Sequence, residues 1–283
     1  MSNFLDTAID IALEAGKILM AHRGVGFELK AAHDLVTAAD RASEQFIVKR
    51  LREEFPTHGI VAEEGARAEL EAPMRWYVDP LDGTTNFAHG YPMWNVTLGL
   101  AKNNEMIAGV VYDPTNRELF TAERGAGARL NGAPIHVSKA SRIEDSLYST
   151  GFPSRKRHNN VNIHFYYQLA MLSHGVRRGG SAAIDLAYTA CGRLEGFWEF
   201  GLSPWDMAAG SLLVEEAGGT VSGMQGEAYD VQGKYVLASN GIIQKETLDL
   251  FAEIFAGRFP QAMPTLPAKD WQETGQETGM INE

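Results

Sequence analysis

The sequence predicts a layered α/β chain of helices and sheets, with one antiparallel meander in its first half. Three observations carry that prediction. Phe4, Leu5, Ala8, Ile9, Ala12 and Leu13 recur at helical spacing. Between Trp94 and Ile135, the turn-forming NN, DPTN, a Gly-rich stretch and NG separate Val/Ile/Leu-rich runs, as in consecutive hairpins. Beyond residue 160, helical and strand-like patterns alternate, as a layered α/β structure requires.

The elements follow in order. MSNFLDTAIDIALEAGKILM lacks a basic leader and carries Asp6, Asp10 and Glu14, so it reads as a docking helix and not a signal peptide. Thr37, followed three residues later by Asp40 and an apolar-periodic stretch, is a capping-box variant opening a helix that runs toward Phe55. THGIVAEEG gives a short buried strand over 59–62 ending in two glutamates. RWYVDPLDG repeats the design, with a strand over 76–78 ending in carboxylates. After the meander, GFPSRKRHNN at 151–160 is polar and turn-rich, and divides halves of 1–150 and 151–256. Helical spacing returns at 163–173 and 182–191. GFWEFGLSPWD is a strand then a turn, and DMAAGSLLVEEAGG is a helix closed by glycines. Residues 257–283, rich in Pro, Gln, Glu and Thr, read as a loosely held tail.

Composition narrows the function classes. The 283 residues are 45% hydrophobic and 22% charged, enough for a large core in one or two domains. A formal net charge of -11 argues against a broad basic face, so no direct nucleic-acid partner is expected. The single cysteine, Cys191, excludes an internal disulfide framework and makes a reducing cytoplasm the default compartment. In AYTACGRLEG it reads as a small buried apolar residue. No run approaches the roughly 18 to 20 apolar residues that cross a bilayer, so no membrane partner is expected.

The chemistry lies in the acids. Glu63, Asp79, Asp82 and Asp206 fall at strand ends or helix starts. Hard oxygen donors without clustered His or Cys suit magnesium or manganese over zinc. Asp79 and Asp82 stand three residues apart and repel each other, which a cation would cancel. A carboxylate shared by two cations holds them about 3.5 to 4 Å apart, a spacing that suits an in-line displacement. Pro80 stiffens the intervening turn and leaves the Leu81 carbonyl as a further oxygen. The plainer alternative is a set of acidic turn and cap residues that never meet, but a cap needs one carboxylate and not a pair. Asp206, after Pro204-Trp205 and before an apolar helix, reads by spacing alone as a helix N-cap. Gly83, Thr84 and Thr85 supply backbone N–H groups at a helix start, a favourable place for phosphate. The Thr84 hydroxyl can also orient water. No GxxxxGK[ST] occurs, so ATP is not implied as donor. Together these features describe a metal-dependent phosphatase.

The same residues resemble the inositol monophosphatase family, within the lithium-sensitive, magnesium-dependent phosphatases. DPLDGTTNF at 79–87 and WDMAAGSLLVEEAGG at 205–219 are similar to its two signatures. DLVTAAD at 34–40, EEG at 63–65 and GSAAIDLAYTACGRLEGFWEFG at 180–201 extend the likeness over residues 4–256. The resemblance implies an αβαβα layered sandwich, of the α+β or α/β class, in a homodimer. It places the metal and phosphate site in 1–150 and the substrate pocket in 151–256. It also implies two to three Mg²⁺ ions, with Mn²⁺ as a substitute. Glu63 and Asp79 with the Leu81 carbonyl would hold the first, and Asp79, Asp82 and Asp206 the second. Glu63 and Thr84 would position the attacking water, with Asp82 beside them. Gly83 and Thr84 would receive the phosphate, while Gly180, Ser181, Ala182, Glu199 and Asp206 would line the alcohol end. Lys30 is assigned to a loop closing near a weaker third metal.

The resemblance leaves the substrate open among inositol phosphates, sugar bisphosphates, histidinol phosphate and nucleotide 3′-phosphates. Glu199 with the GSAA loop favours a compact polyol, and the short spacing between motifs leaves little room for a nucleotide lobe. Inositol-1-phosphate therefore leads, with fructose-1,6-bisphosphate and histidinol phosphate as alternatives. Some bacterial relatives of this kind also act with transcription machinery. Two basic clusters, SRKRH at 154–158 and VRR at 176–178, interrupt the acidic chain, and a solvated loop and a subunit contact are their plainer readings.

Overall fold

The computed structural model describes residues 3–24, 26–31, 34–152 and 160–263, with only the backbone for 27–31 and 34–36. Helix α1 (Asn3–Ala21) turns Leu5, Ala8, Ile11, Ala12, Ala15 and Leu19 inward. The buried stripe is thus rotated slightly from the predicted one, with Phe4 and Ile9 at its flanks. Strands β1 (Phe27–Ala31) and β2 (Asp34–Thr37) form a separate antiparallel ribbon. The side chain of Lys30 lies outside the described residues, and so does the basic cluster at 154–158. Helix α2 (Ala38–Glu54) opens on the predicted capping box. Thr37 Oγ1 accepts from the Ala39 and Asp40 N–H groups at 3.1 and 3.4 Å, and Asp40 Oδ2 accepts from the Thr37 N–H at 2.7 Å.

Next come β3 (Gly59–Ala62), β4 (Arg67–Ala68), β5 (Met74–Asp82) and the single-turn helix α3 (Thr84–Ala88). The predicted meander follows as β6 (Asn95–Lys102), β7 (Glu105–Asp113), β8 (Glu118–Glu123), β9 (Gly127–Leu130) and β10 (Ala133–Pro134). These strands make one sheet in the order β10-β9-β8-β7-β6-β5-β3-β4, antiparallel except for the β3–β5 pair. Asn103, Asn104 and Asn131 take φ of 52°, 69° and 50° at the tight turns, the left-handed region that asparagine enters most readily after glycine.

Strand β5 runs further than the sequence suggested, through Pro80 to Asp82. Asp79 pairs with Thr97 and Asp82 with Asn95, so one extra residue is accommodated between them. The expected proline turn is therefore a bulge. Pro80, which has no N–H for the ladder, sits where the ladder is already broken.

The second sheet begins at β11 (Leu147–Thr150), followed by α4 (Asn162–Leu172), β12 (Gly175–Arg177), α5 (Ala182–Ala190) and β13 (Gly196–Phe200). Helix α6 (Pro204–Glu216), β14 (Thr220–Ser222), β15 (Tyr235–Ser239) and α7 (Gln244–Phe255) complete it. Its strand order is β12-β11-β13-β15-β14.

Side-chain alternation along the strands assigns the layers. On β5, Trp76 and Val78 face α1 and α2, whereas Tyr77 faces the opposite core with α5 and α6. On the second sheet, Phe197, Val236 and Ala238 face α5 and α6, whereas Trp198 and Leu237 face α4 and α7. The result is an αβαβα sandwich with α5 and α6 between two sheets.

A central helix must be apolar all round, and α6 buries every residue from Met207 to Val214. It also needs close approach. A Cβ built on Gly99 would lie 2.8 Å from Ala208 Cβ and 3.0 Å from Ala209 N. Gly99→Val should therefore destabilise the fold by about 1–3 kcal/mol or more, read as a lower denaturant midpoint. An unchanged midpoint would contradict this packing.

Three further expectations meet the structure here. Ser203, not Asp206, is the N-cap of α6. Asp206 is the third helical residue and accepts from the Ser203 N–H at 2.7 Å. Cys191 is half-buried against the central core, its Sγ donating to Tyr188 O at 3.6 Å. The first part of the expected tail is held on α4, where Gln168 exchanges hydrogen bonds with the Gln261 backbone at 2.7 and 2.8 Å. Residues 264–283 lie outside the described residues. No helix among the described residues is long and apolar enough to cross a membrane.

Candidate active site

The parallel β3–β5 pair creates one end of the site. Glu63 follows β3, and its N–H donates to Val78 O at 3.1 Å, which sets it beside the carboxyl end of β5. There Asp79 is nearly sealed from solvent, at 2% exposure. Its Oδ1 accepts from the Leu81 N–H at 3.0 Å across the bulge. Asp206 approaches from the first turn of α6, and Glu199 from β13. Segments from both halves of the sequence thus converge at one place.

Asp82 is tied down most tightly. Its Oδ2 accepts from Ser181 Oγ at 2.6 Å and from Asn95 Nδ2 and the Ala183 N–H, both at 3.0 Å. One carboxylate oxygen thus binds the start of α5 as well as β6. The Ser181 hydroxyl, predicted to line a substrate pocket, is buried and committed to this contact. Gly180 and Ala182 flank it, with Gly180 half-exposed and Ala182 buried. The loop before Ser181 is anchored by Asn86, whose Nδ2 donates to Met93 O at 2.7 Å and Gly179 O at 2.9 Å.

Gly83 caps α3 in a left-handed conformation, φ 89°, and a Cβ there would lie 2.8 Å from Met93 O. Only glycine fits that position. The first N–H groups of α3 have no intrahelical acceptor. Thr84 Oγ1 lies 3.0 Å from Asp40 Oδ1 and 3.1 Å from Leu81 O, with one proton for two acceptors. Asp40 is thus both the capping-box acid of α2 and the partner of Thr84. Sequence reasoning missed this second role, because the local cap already accounted for the residue. Glu44 was missed as well. Its carboxylate accepts from the Glu64 N–H at 2.8 Å and the Ala66 N–H at 3.2 Å, bracing the turn that carries Glu63.

The electrostatics are those of crowded acids. Burial first, then the charges of Glu63, Asp82 and Asp206, hold Asp79 well above the usual carboxylate range. Burial, then Glu63 and Asp82, do the same to Asp206. Burial also raises Asp82, opposed by its hydrogen bonds from Ser181, Asn95 and Ala183. Asp185 in α5 is raised by burial and by Asp82. Glu199 is pushed up to about 8, by burial and then by Asp185 and Asp82.

Among the described residues, no three Asp, Glu, His or Cys side chains close around one point able to hold an ion. The acids are electrostatic neighbours, with Asp79 in hydrogen-bond contact with Glu63. They do not form a closed coordination shell.

A pH prediction follows for the metal-free protein. Glu199 is protonated more readily folded than unfolded, from its model-compound value of 4.5 up to about 8. Through that window the folded state holds the extra proton, so stability falls as pH rises. Glu199→Gln removes this dependence. In EDTA, its melting temperature should exceed that of the parent by an amount that grows between pH 5 and 8.5 and then levels. A constant difference across that range would contradict the raised Glu199. Each pKa unit corresponds to about 1.4 kcal/mol, so the gap should reach several degrees.

A five-layer α/β sandwich with oxygen-donor acids gathered beside a helix start has the groups that a hard cation and a phosphate require. Comparison with known proteins makes the assignment specific. The sequence profile described as "Inositol monophosphatase family" matches residues 1–257. The "Inositol-1-monophosphatase" of Synechocystis sp. is 43% identical over 251 residues, covering 87% of this chain and 88% of that protein. The "Nus factor SuhB" of Pseudomonas aeruginosa is 42% identical over 250 residues, covering 85% and 92%. The solved inositol monophosphatase from Anabaena (Nostoc) sp. superposes with a TM-score of 0.81 at 41% identity, covering 89% and 95%. The chain belongs to the inositol monophosphatase family, whose members are metal-dependent phosphatases acting on small phosphorylated substrates.

Proposed function

We propose that the chain hydrolyses the phosphate ester of a compact polyol, with inositol-1-phosphate as the first choice and Mg²⁺, or Mn²⁺ in its place, as cofactor. The observation that carries this reading is the gathering of Glu63, Asp79, Asp82 and Asp206 beside Gly83 and Thr84, where burial and mutual repulsion leave the acids short of positive charge. The donor set fits a hard divalent cation, because it is all oxygen and concentrates negative charge. Filling it asks the carboxylates to turn toward a shared point. Glu63, Asp79 and the Leu81 carbonyl would hold one ion, and Asp79, Asp82 and Asp206 a second. Bound there, such cations would neutralise phosphate charge and acidify a coordinated water.

The chain's own groups do the rest. Backbone N–H groups of Gly83 and Thr84 receive phosphate oxygens. Thr84, with its proton engaged by Asp40 or Leu81 O, offers its lone pairs to the attacking water. Glu63, an electrostatic neighbour of Asp79 and Asp206, would accept a proton from that water. Asp206 and Glu199 offer acceptors to the hydroxyls of the alcohol, and Gly180 and Ala182 shape that end.

The deciding assay measures kcat/KM side by side for inositol-1-phosphate, fructose-1,6-bisphosphate, histidinol phosphate and adenosine 3′,5′-bisphosphate, with Mg²⁺. Inositol-1-phosphate is expected to lead, and a clear lead by another ester overturns the substrate choice. Absence of Mg²⁺-dependent turnover with all four overturns the reading itself.

A further inference from the structure

We propose that Arg67 is a positioning residue, fixing the turn that carries Glu63 against the start of α6, so that the segments bearing Glu63 and Asp206 are held together. The proposal rests on the metal-dependent reading above and adds a residue that none of its motifs contains.

The turn joining β3 to β4 has little to hold it by itself. The Ala62 N–H donates to Ala66 O at 3.0 Å, and the Gly65 N–H reaches Ala62 O at a long 3.4 Å. Glu44 braces one side of this turn by accepting from Glu64 and Ala66. Arg67 braces it from the carbonyl side. Its Nη1 donates to Ala62 O and, at 2.8 Å, to Ala66 O, bridging the two ends of the turn. The face of the same guanidinium lies over the Trp205 ring, 5.2 Å from its centroid.

Trp205 is the second residue of α6, and Asp206 is the third. One planar cation therefore links a turn near residue 63 to a helix start near residue 206, two segments with no covalent proximity. The arrangement needs a guanidinium. A flat group can donate along its edge and stack through its face at once, whereas an ammonium has no flat face to stack. Arg67 is exposed, so it does not act by filling the core. Its hydrogen bonds go to backbone carbonyls, which makes its contribution one of geometry.

The test uses the full chain stripped of metal with EDTA and then titrated calorimetrically with MgCl₂. Groups that orient metal ligands typically change affinity by about 10–100-fold when removed. Arg67→Gln is expected to weaken Mg²⁺ binding by about tenfold or more within that range. Arg67→Lys should recover only part of the loss. In turnover assays the Mg²⁺ activation midpoint should shift by a similar factor while kcat at saturating Mg²⁺ stays close to the parent value. Hydrogen exchange of the Glu63–Ala66 amides should quicken in Arg67→Gln without change in α1.

If Arg67→Gln does not fold, Trp205→Leu and Trp205→Phe carry the comparison: the first should bind Mg²⁺ weakly and the second like the parent. Parent-like affinity in Arg67→Gln, or in Trp205→Leu, overturns the role of Arg67 alone. Absence of Mg²⁺ uptake by the parent overturns the metal reading beneath it.

Discussion

Asp79→Asn is expected to reduce turnover at ordinary Mg²⁺ by on the order of 10³-fold or more, chiefly through lost metal affinity. It should also raise the melting temperature of the metal-free protein. The two effects have one cause. Asp79 is buried beside Glu63, Asp82 and Asp206, and their charges oppose its ionisation. Asparagine keeps the shape, and its Oδ1 can still accept from the Leu81 N–H that Asp79 now binds at 3.0 Å. What it removes is a negative charge that its acidic neighbours oppose and that attracts cations. Magnesium should then stabilise the parent far more than the variant, because a ligand bound only by the folded state stabilises it by RT ln(1 + L/Kd) at free concentration L, an amount that shrinks as Kd rises. Thermal melts with and without Mg²⁺, together with a Mg²⁺ titration of activity, decide the matter. A variant with normal activity at normal Mg²⁺ and an unshifted midpoint removes Asp79 from the metal site.

Much of the fold was legible because local chemistry and global arrangement agree. The meander was marked by turn residues, and Asn103, Asn104 and Asn131 do occupy the left-handed turn positions that those marks implied. The Thr37–Asp40 box was legible because every partner lies within three residues. The misread features depend on pairing and backbone conformation that spacing does not show. Pro80 signals a turn in isolation, but pairing of Asp79 with Thr97 and Asp82 with Asn95 absorbs it as a bulge. Helix α6 has no polar face to mark its orientation, since it is buried between two sheets. Its cap was misplaced because Ser203 and Asp206 are both competent, and only the backbone shows which stands outside the helix.

The acids of the candidate site stand in motifs that spacing marks, whereas the residues that brace them do not. Glu44 lies within an ordinary amphipathic helix, Arg67 at the start of the two-residue strand β4, and Asp40 in a cap complete in itself. Ser181 is the converse case. It lies in a recognisable loop, and its hydroxyl is buried and bound to Asp82, a partner that spacing does not reveal. In each case a residue's role is fixed by a partner many positions away, and spacing along the chain carries no trace of that.

Thr84→Val should lower kcat on the order of 10²-fold or more, with a much smaller change in KM and in stability. Phosphate monoester hydrolysis is so slow unassisted that accelerations of up to about 10²¹-fold are needed, and no single group supplies more than a part. The contribution of Thr84 is directional. With Asp40 Oδ1 at 3.0 Å and Leu81 O at 3.1 Å, its proton always has an acceptor within the protein. Its lone pairs are left to accept from water at the phosphate, which aligns that water and makes it the better nucleophile. Valine has nearly the same shape but can accept nothing, and it leaves Asp40 without that donor. Serine keeps the hydroxyl, so Thr84→Ser should retain most of the activity, and the valine-to-serine contrast isolates the oxygen from the packing. Steady-state kinetics of the three proteins at saturating Mg²⁺ measure it. Equal kcat for valine and threonine would mean that the hydroxyl plays no part in orienting water, and that the Asp40–Thr84 bond serves only to fasten α3 to α2.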